Sequence, residues 1–228
     1  MTNAQPAAAS PASDDALADL YPPLRLRVTS GDLELRLLRD ADLPWYAALL
    51  HEPVFADPSA EHVFAWWVPD VEERVRGAIR FQWQVRASIE PAAWELAFGL
   101  FHEGRLIGMQ SLLARDFAVR RIVSSGSWLT RAEQGRGFGK RMRQMVLVFA
   151  FDHLGARRAE TGAVLGNEPS FGVSRACGYR TNGFETIVEG GRAKEVQRFA
   201  LDPDEFVRPA ESVQVSGLDG ELRAMLGA

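Results

Sequence analysis

The sequence predicts a single α+β domain built on a mixed central β-sheet with helices on both faces. Three observations carry this. Two pairs of alternating apolar runs flank short turns, at His102-Glu103-Gly104-Arg105 and at Gly190-Gly191, as β-hairpins require. Apolar residues at helical spacing interrupt those runs, most clearly Met142, Met145, Val146, Phe149 and Ala150. Finally, no linker-like composition breaks residues 30–201.

In chain order, residues 1–23 are expected to be a disordered tail, because prolines and aspartates interrupt their alanines. The domain is expected to run over 24–228, with 202–228 as a C-terminal extension. Leu33, Leu35 and Leu37 alternate with Glu34 and Arg36, which predicts a strand. A helix follows, with Asp40 or Asp42 as N-cap and Pro44 in its first turn. Residues 71–89 place Val71, Val75, Ala78 or Ile79, Trp83 and Ile89 at helical spacing, a second helix. The first hairpin occupies "WELAFGLFHEGRLIGMQSLLARDF", and "RRIVSSGSWLT" is a strand that runs into glycines. The long apolar helix after them gives way to the strand "ARRAETGAVLGN". Then comes a short helix with Pro169 near its start and Gly178 at its C-terminal cap. The second hairpin and a peripheral strand at 212–216 complete the order β-α-α-β-β-β-α-β-α-β-β, with no internal repeat.

Bulk chemistry narrows the function classes. With 228 residues, 46% of them hydrophobic, the chain can bury a proper core. A net charge of −4 argues against nucleic acid as a partner. Yet Arg131, Arg136, Lys140, Arg141 and Arg143 cluster against one acid, Glu133, which suits a small anionic ligand. No apolar run is long enough for a membrane span. The single cysteine, Cys177, and the lack of a basic, apolar leader make a cytoplasmic setting the expectation. The four histidines share no metal-ligand spacing, so no metal is expected.

The stretch "EQGRGFGKRM", 133–142, holds three glycines between a strand and a helix. It is not a dinucleotide fingerprint, because Lys140 stands where the third glycine belongs. Nor is it an NTPase phosphate loop, since Gln134 and Arg141 break that pattern. A strand feeding the start of a long helix is an anion site, because the first helical N–H groups lack partners. Gly135, Gly137 and Gly139 would let a phosphate approach the backbone, with Arg136 and Lys140 adding charge.

Gln134-Gly135-Arg136-Gly137-Phe138-Gly139 resembles the pyrophosphate signature of the GNAT acyltransferases, Q/R-x-x-G-x-G/A. Asn167-Glu168-Pro169-Ser170, followed by Ser174 to Tyr179, resembles that family's downstream segment. The resemblance spans about residues 33–201. Within it, "GSWL" is similar to the branch that acetylates ribosomal-protein N-termini. "SGSWL", "QGRGFG", "VSRACGYRTNG" and "VEGGRA" resemble mycobacterial members described as succinyltransferases.

The resemblance implies a GNAT fold and an acyl-CoA co-substrate, acetyl-CoA or succinyl-CoA. It implies direct transfer to a primary amine on a small molecule or peptide. The sequence does not fix the assembly; a homodimer is compatible with it. A non-catalytic acyl-CoA sensor of the same fold is the rival. By the same resemblance Trp128, Leu129 and Thr130 would lie along pantetheine, with an N–H near Leu129 as oxyanion donor, and Gln134 through Lys140 would hold pyrophosphate. Asn167 would be N-cap, ligand or both. Ser170, preferred over Ser174, would assist the departing thiolate, since a thiol pKa of about 8.5 asks only for a hydrogen bond. Relatives carry a glutamate where this chain has Ser124-Ser125, which leaves Glu160, or a water chain, as the base. The acceptor is expected near "HVFAWW", Phe81, Trp83 and Trp94, although most of these aromatics are expected to pack in the core. Arg74, Arg76, Arg80 and Arg86 could meet a succinyl carboxylate, although a solvated face is the first expectation for them.

Overall fold

Alternation decides the strands of this chain, and apolar spacing decides most of its helices. A computed structural model describes residues 14–60, 62, 64–67 and 70–228. Its first half runs α1 (Asp14–Leu20), β1 (Arg27–Ser30), β2 (Leu33–Leu37), α2 (Leu43–Leu49), α3 (Val71–Ala87), β3 (Ala93–His102), β4 (Arg105–Arg115) and the single turn α4 (Phe117–Arg120). The second half runs β5 (Ile122–Leu129), α5 (Phe138–Val148), β6 (Arg158–Val164), α6 (Glu168–Ala176), β7 (Arg180–Glu189), β8 (Arg192–Leu201), β9 (Gln214–Ser216) and α7 (Gly220–Leu226).

Nine strands form one mixed sheet in the order β7-β8-β6-β5-β4-β3-β2-β1-β9. All neighbours are antiparallel except β5 and β6, which run parallel. The β3–β4 turn, Glu103-Gly104, takes positive φ at both residues (49° and 78°), as Gly190-Gly191 does between β7 and β8 (59° and 74°). That pair of left-handed residues matches the twist of the strands it joins.

Two apolar clusters cover the two faces. One packs Met142, Met145, Val146 and Phe149 of α5 and its continuation against Leu35, Phe98, Leu112 and Val123 of the sheet. The other packs Leu43, Tyr46 and Leu49 of α2 and Ala78 of α3 against Phe101, Leu106 and Met109. Each large side chain taken fully from water contributes about 1.5–3 kcal/mol, so both faces stabilise the sheet.

Two expectations need correction, and Trp94 takes the core place expected of most aromatics near the acceptor. Part of the expected tail is structured: α1 forms within it and buries Ala18, while residues 1–13 lie outside the described ones. Trp83 is half exposed and donates to Asp40, because α3 turns Ala78, Gln82 and Val85 inward instead. Trp94 is core, stacked edge-on against Phe117 and bonded to the Leu226 carbonyl at 2.9 Å.

Candidate active site

The site is a gap in the sheet. β5 pairs with β4 from Ser124 to Leu129, but with β6 only from Ile122 to Ser124. Beyond Ser124 and Glu160 the parallel strands part, since β6 stays with β8 through Val164. At the fork the Thr161 hydroxyl donates to the Ser125 carbonyl at 2.8 Å, where a backbone N–H would otherwise sit. Thr130 gives its N–H to Ile107, so by ladder alternation the N–H groups of Leu129 and Ser127 point into the gap. Leu165 likewise bonds Glu195, which turns the polar edge of Gly162 and Val164 toward β5. The resulting cleft holds about 850 Å³.

At the cleft's mouth α5 begins at Gly137 (φ 83°), with no side chain capping it. Gly135 is also left-handed (φ 74°), and a Cβ built on either glycine meets nothing within 4 Å. The first-turn N–H groups thus face open space with the positive end of the helix dipole behind them. Gly139 differs: a Cβ there would come within 3.2 Å of Val173, so its bareness lets α5 pack on α6.

Trp128, Leu129, Gln134, Gly135, Gly137, Gly139, Lys140, Asn167 and Ser170 all line the cleft. Gln134 holds the loop by donating to Val54 O at 2.8 Å and Leu129 O at 3.0 Å. Asn167 caps α6, accepting from the Ser170 N–H at 3.3 Å, and that helix start presents Ser170 to the cleft.

Five expected site residues lie elsewhere. Glu160 is paired with Arg198 at 3.0 Å, off the cleft lining, because alternation along β6 turns it away. Ser174 is buried and spends its hydroxyl on the Ser170 carbonyl at 3.1 Å. Thr130 and Phe138 are buried; Phe138 packs against His102. Arg136 folds back over the Phe138 ring to Glu133. Burial works to raise the Glu133 carboxyl, yet Arg105 and Arg136 outweigh it and hold it below the usual range.

The basic cluster therefore divides. Arg141 is neutralised by Asp32 at 2.6 Å and Glu211 at 2.9 Å, on the far side of the loop. Lys140 and Arg131 line the cleft with no acid in ion-pair range among the described residues. So does Arg143, which is 2% exposed. It reaches Ser127 Oγ at 3.3 Å, and its Nε and Nη1 have no partner. A buried cation without a counter-charge is costly, so this one fits a cleft that receives an electron-rich group. The sequence placed Arg143 in the basic cluster, but its position inside an apolar helical run gave no sign that it, or Gln144, would be buried. His62, from the stretch expected near the acceptor, lines the cleft too; so does Glu189, which was not foreseen and is paired with Lys194 at 2.8 Å. Cys177 is buried at the end of α6, and burial pushes its thiol up to about 11.

An open parallel edge, a bare helix start and unpaired cations fit an extended phosphate-bearing ligand such as coenzyme A. The acetyltransferase (GNAT) domain matches residues 32–180 of this chain. Among solved structures, the chain is similar to Mycobacterium smegmatis RimJ in complex with CoA-disulfide. Identity is 18% and the TM-score 0.65, covering 82% of this chain and 91% of that one. It is similar to RimL, a ribosomal L7/L12 alpha-N-protein acetyltransferase in complex with coenzyme A. Here identity is 18% and the TM-score 0.58, covering 77% and 97%. A chimera of the Vibrio cholerae spermidine N-acetyltransferase SpeG and hSSAT matches at 18% identity and a TM-score of 0.57, covering 76% and 97%. At such identities the likeness of structures speaks for the fold. The domain match covers most of the chain, including the strand fork, the glycine loop and α6, and it makes this protein a member of the GNAT acetyltransferase family.

Proposed function

We propose that the chain is an N-acyltransferase that moves an acyl group from coenzyme A to a primary amine in one direct step. The observation that carries this reading is the unpaired edge of β5 ending beside the uncapped start of α5. The thioester supplies an activated acyl carbon, and the protein does the rest. First-turn N–H groups of α5, with Gly135, Gly137 and Lys140, hold the pyrophosphate. The polar edges of Ser127, Leu129, Gly162 and Val164 bond the pantetheine amides, as a missing strand would. Leu129 N–H polarises the acyl oxygen. Ser170 donates to the departing sulfur, and Arg143 offers it a nearby positive charge. His62, which lines the cleft, takes up the amine proton.

Acetyl-CoA is the default donor, and succinyl-CoA stays in play through the sequence resemblance. Of the arginines read as partners for a succinyl carboxylate, Arg86 is taken by Asp40 at 2.6 Å and Arg74 lies over the Trp67 ring. The relatives named above act on a ribosomal-protein N-terminus and on spermidine, consistent with an amine acceptor here. We also propose a cytoplasmic homodimer. The outermost strand, β7, exposes Phe184 and Val188, and an uncovered apolar edge favours pairing with a second copy.

One observation favours the rival sensor reading. Glu160 is held by Arg198, and no unpaired carboxylate lines the cleft among the described residues. Thermal shift and thiol release with acetyl-CoA, succinyl-CoA and ATP across an amine panel separate the two. Stabilisation by coenzyme A esters with thiol release supports transfer. Stabilisation without turnover on any amine means a sensor, and stabilisation by ATP alone sinks both.

A further inference from the structure

A second cavity, of about 420 Å³, opens on α3 and reaches the same stretch of β5. Gly126, Ser127, Trp128 and Phe64 line both spaces, so the two meet at the strand beside the fork. Its walls are aromatic: Phe64, Trp66, Phe81 and Trp128, with Tyr46 and Met109 behind. Phe64 and Trp66 are stacked with centroids 5.6 Å apart, and Trp66 tilts against Trp128 at 5.7 Å. Such walls take up an apolar body and leave few polar partners for a charged one.

Two features make this a built site. Gln82 is 1% exposed and lines the cavity; its side chain interacts with the Tyr46 hydroxyl, but its Nε2 makes no hydrogen bond of good geometry. An amide donor kept dry without a good hydrogen bond costs stability unless something bonds it, so it marks where a ligand oxygen belongs. Gly77, in the middle of α3, lines the cavity too, and a Cβ there meets nothing within 4 Å. A helix interior gains by replacing glycine, yet here the bare position keeps the cavity wide. The titratable rim is Glu73 with Arg74 and Arg80, and Tyr46, raised to about 12 by burial, stays neutral. One carboxylate against two guanidiniums is the wrong field for a polycation.

We propose that this cavity receives the acceptor, a primary amine on an apolar body that carries one hydrogen-bond acceptor and no second cationic group. The proposal rests on the acyl-transfer reading. The amine nitrogen forms the new amide bond to the acyl carbon as the carbon–sulfur bond breaks. The electron pair leaves on sulfur, and the amine proton passes to His62 at the cleft. The substrate's oxygen meets Gln82 Nε2 while its apolar part fills the space beside Gly77.

The test compares phenylalaninamide, phenethylamine, alaninamide and spermidine with acetyl-CoA, on the full chain. Wild-type kcat/KM should be highest for phenylalaninamide, and about tenfold lower for phenethylamine, which lacks the carbonyl. Spermidine should be poorest. Gly77→Leu should lower kcat/KM for phenylalaninamide about tenfold, with Gly77→Ala intermediate, while acetyl-CoA affinity by calorimetry stays unchanged. Gln82→Met should erase the difference between phenylalaninamide and phenethylamine. Preference for spermidine, or unchanged kinetics in both Gly77 variants, overturns the assignment and leaves acyl transfer standing. Acetyl-CoA bound with no thiol release from any amine overturns acyl transfer itself.

Discussion

The two edges of β5 meet opposite fates. On the β4 side the ladder runs unbroken from Ser124 to Leu129, and the strands approach so closely that a Cβ on Gly108 would come within 2.4 Å of the Trp128 carbonyl. On the β6 side pairing ends after three residues. On the open side the Ser125 carbonyl is taken by Thr161 and the Leu129 carbonyl by Gln134, while the Ser127 edge and the Leu129 N–H face the gap without a strand partner. A buried backbone group without a partner is rarely tolerated, so the open edge is intelligible as half of a ladder that a ligand completes. The closed edge in turn holds the open one rigid.

The largest expected effect breaks the open side. Gly137→Glu puts a side chain at φ 83°, where only glycine is comfortable, and a carboxylate where phosphate is to bind. Coenzyme A binding by calorimetry should fall at least about a hundredfold, as expected for two lost charge-assisted bonds. Unchanged affinity would refute the phosphate site. A smaller effect sharpens the fork between the edges. Thr161→Val keeps the shape but strands the Ser125 carbonyl, and should cost about 1–3 kcal/mol in urea unfolding. If stability holds, the fork is set by β8 alone.

The smallest effect tests the loop that joins the closed strand to the open helix. The folded Glu133 carboxyl titrates below its unfolded value. Its contribution to stability is therefore fully present above the ordinary glutamate pKa of about 4.3. It disappears as pH falls through the lowered folded value. Glu133→Gln should flatten that acid limb in Tm measured from pH 7 down to pH 3. An unaltered limb would assign it to other carboxylates, such as Asp42, which Arg36 grips at 2.6 and 2.8 Å.

Much of this was legible in the sequence, because local rules governed it. Turn residues placed both hairpins, and the glycine spacing marked Gly135 and Gly137 as the left-handed turn before α5. What escaped was long-range. No local pattern says that β5 and β6 part after three pairs, since the separation depends on β8 holding β6. The same fact undid Glu160, whose side the β6–β8 register decides. Ser174 failed for another reason: one turn beyond Ser170, it faces back into α6. α1 was missed because Ala- and Asp-rich composition resembles a tail until the domain supplies a place for Ala18.

Cys177 has a practical consequence. With its thiol buried and pushed up to about 11, roughly one molecule in a thousand carries the thiolate at pH 8, and that one is shielded. The folded enzyme should be silent toward a thiol-specific dye, so every sulfur counted during turnover comes from released coenzyme A. In denaturant the single cysteine should answer with one equivalent per chain. One reagent then reports both catalysis and unfolding.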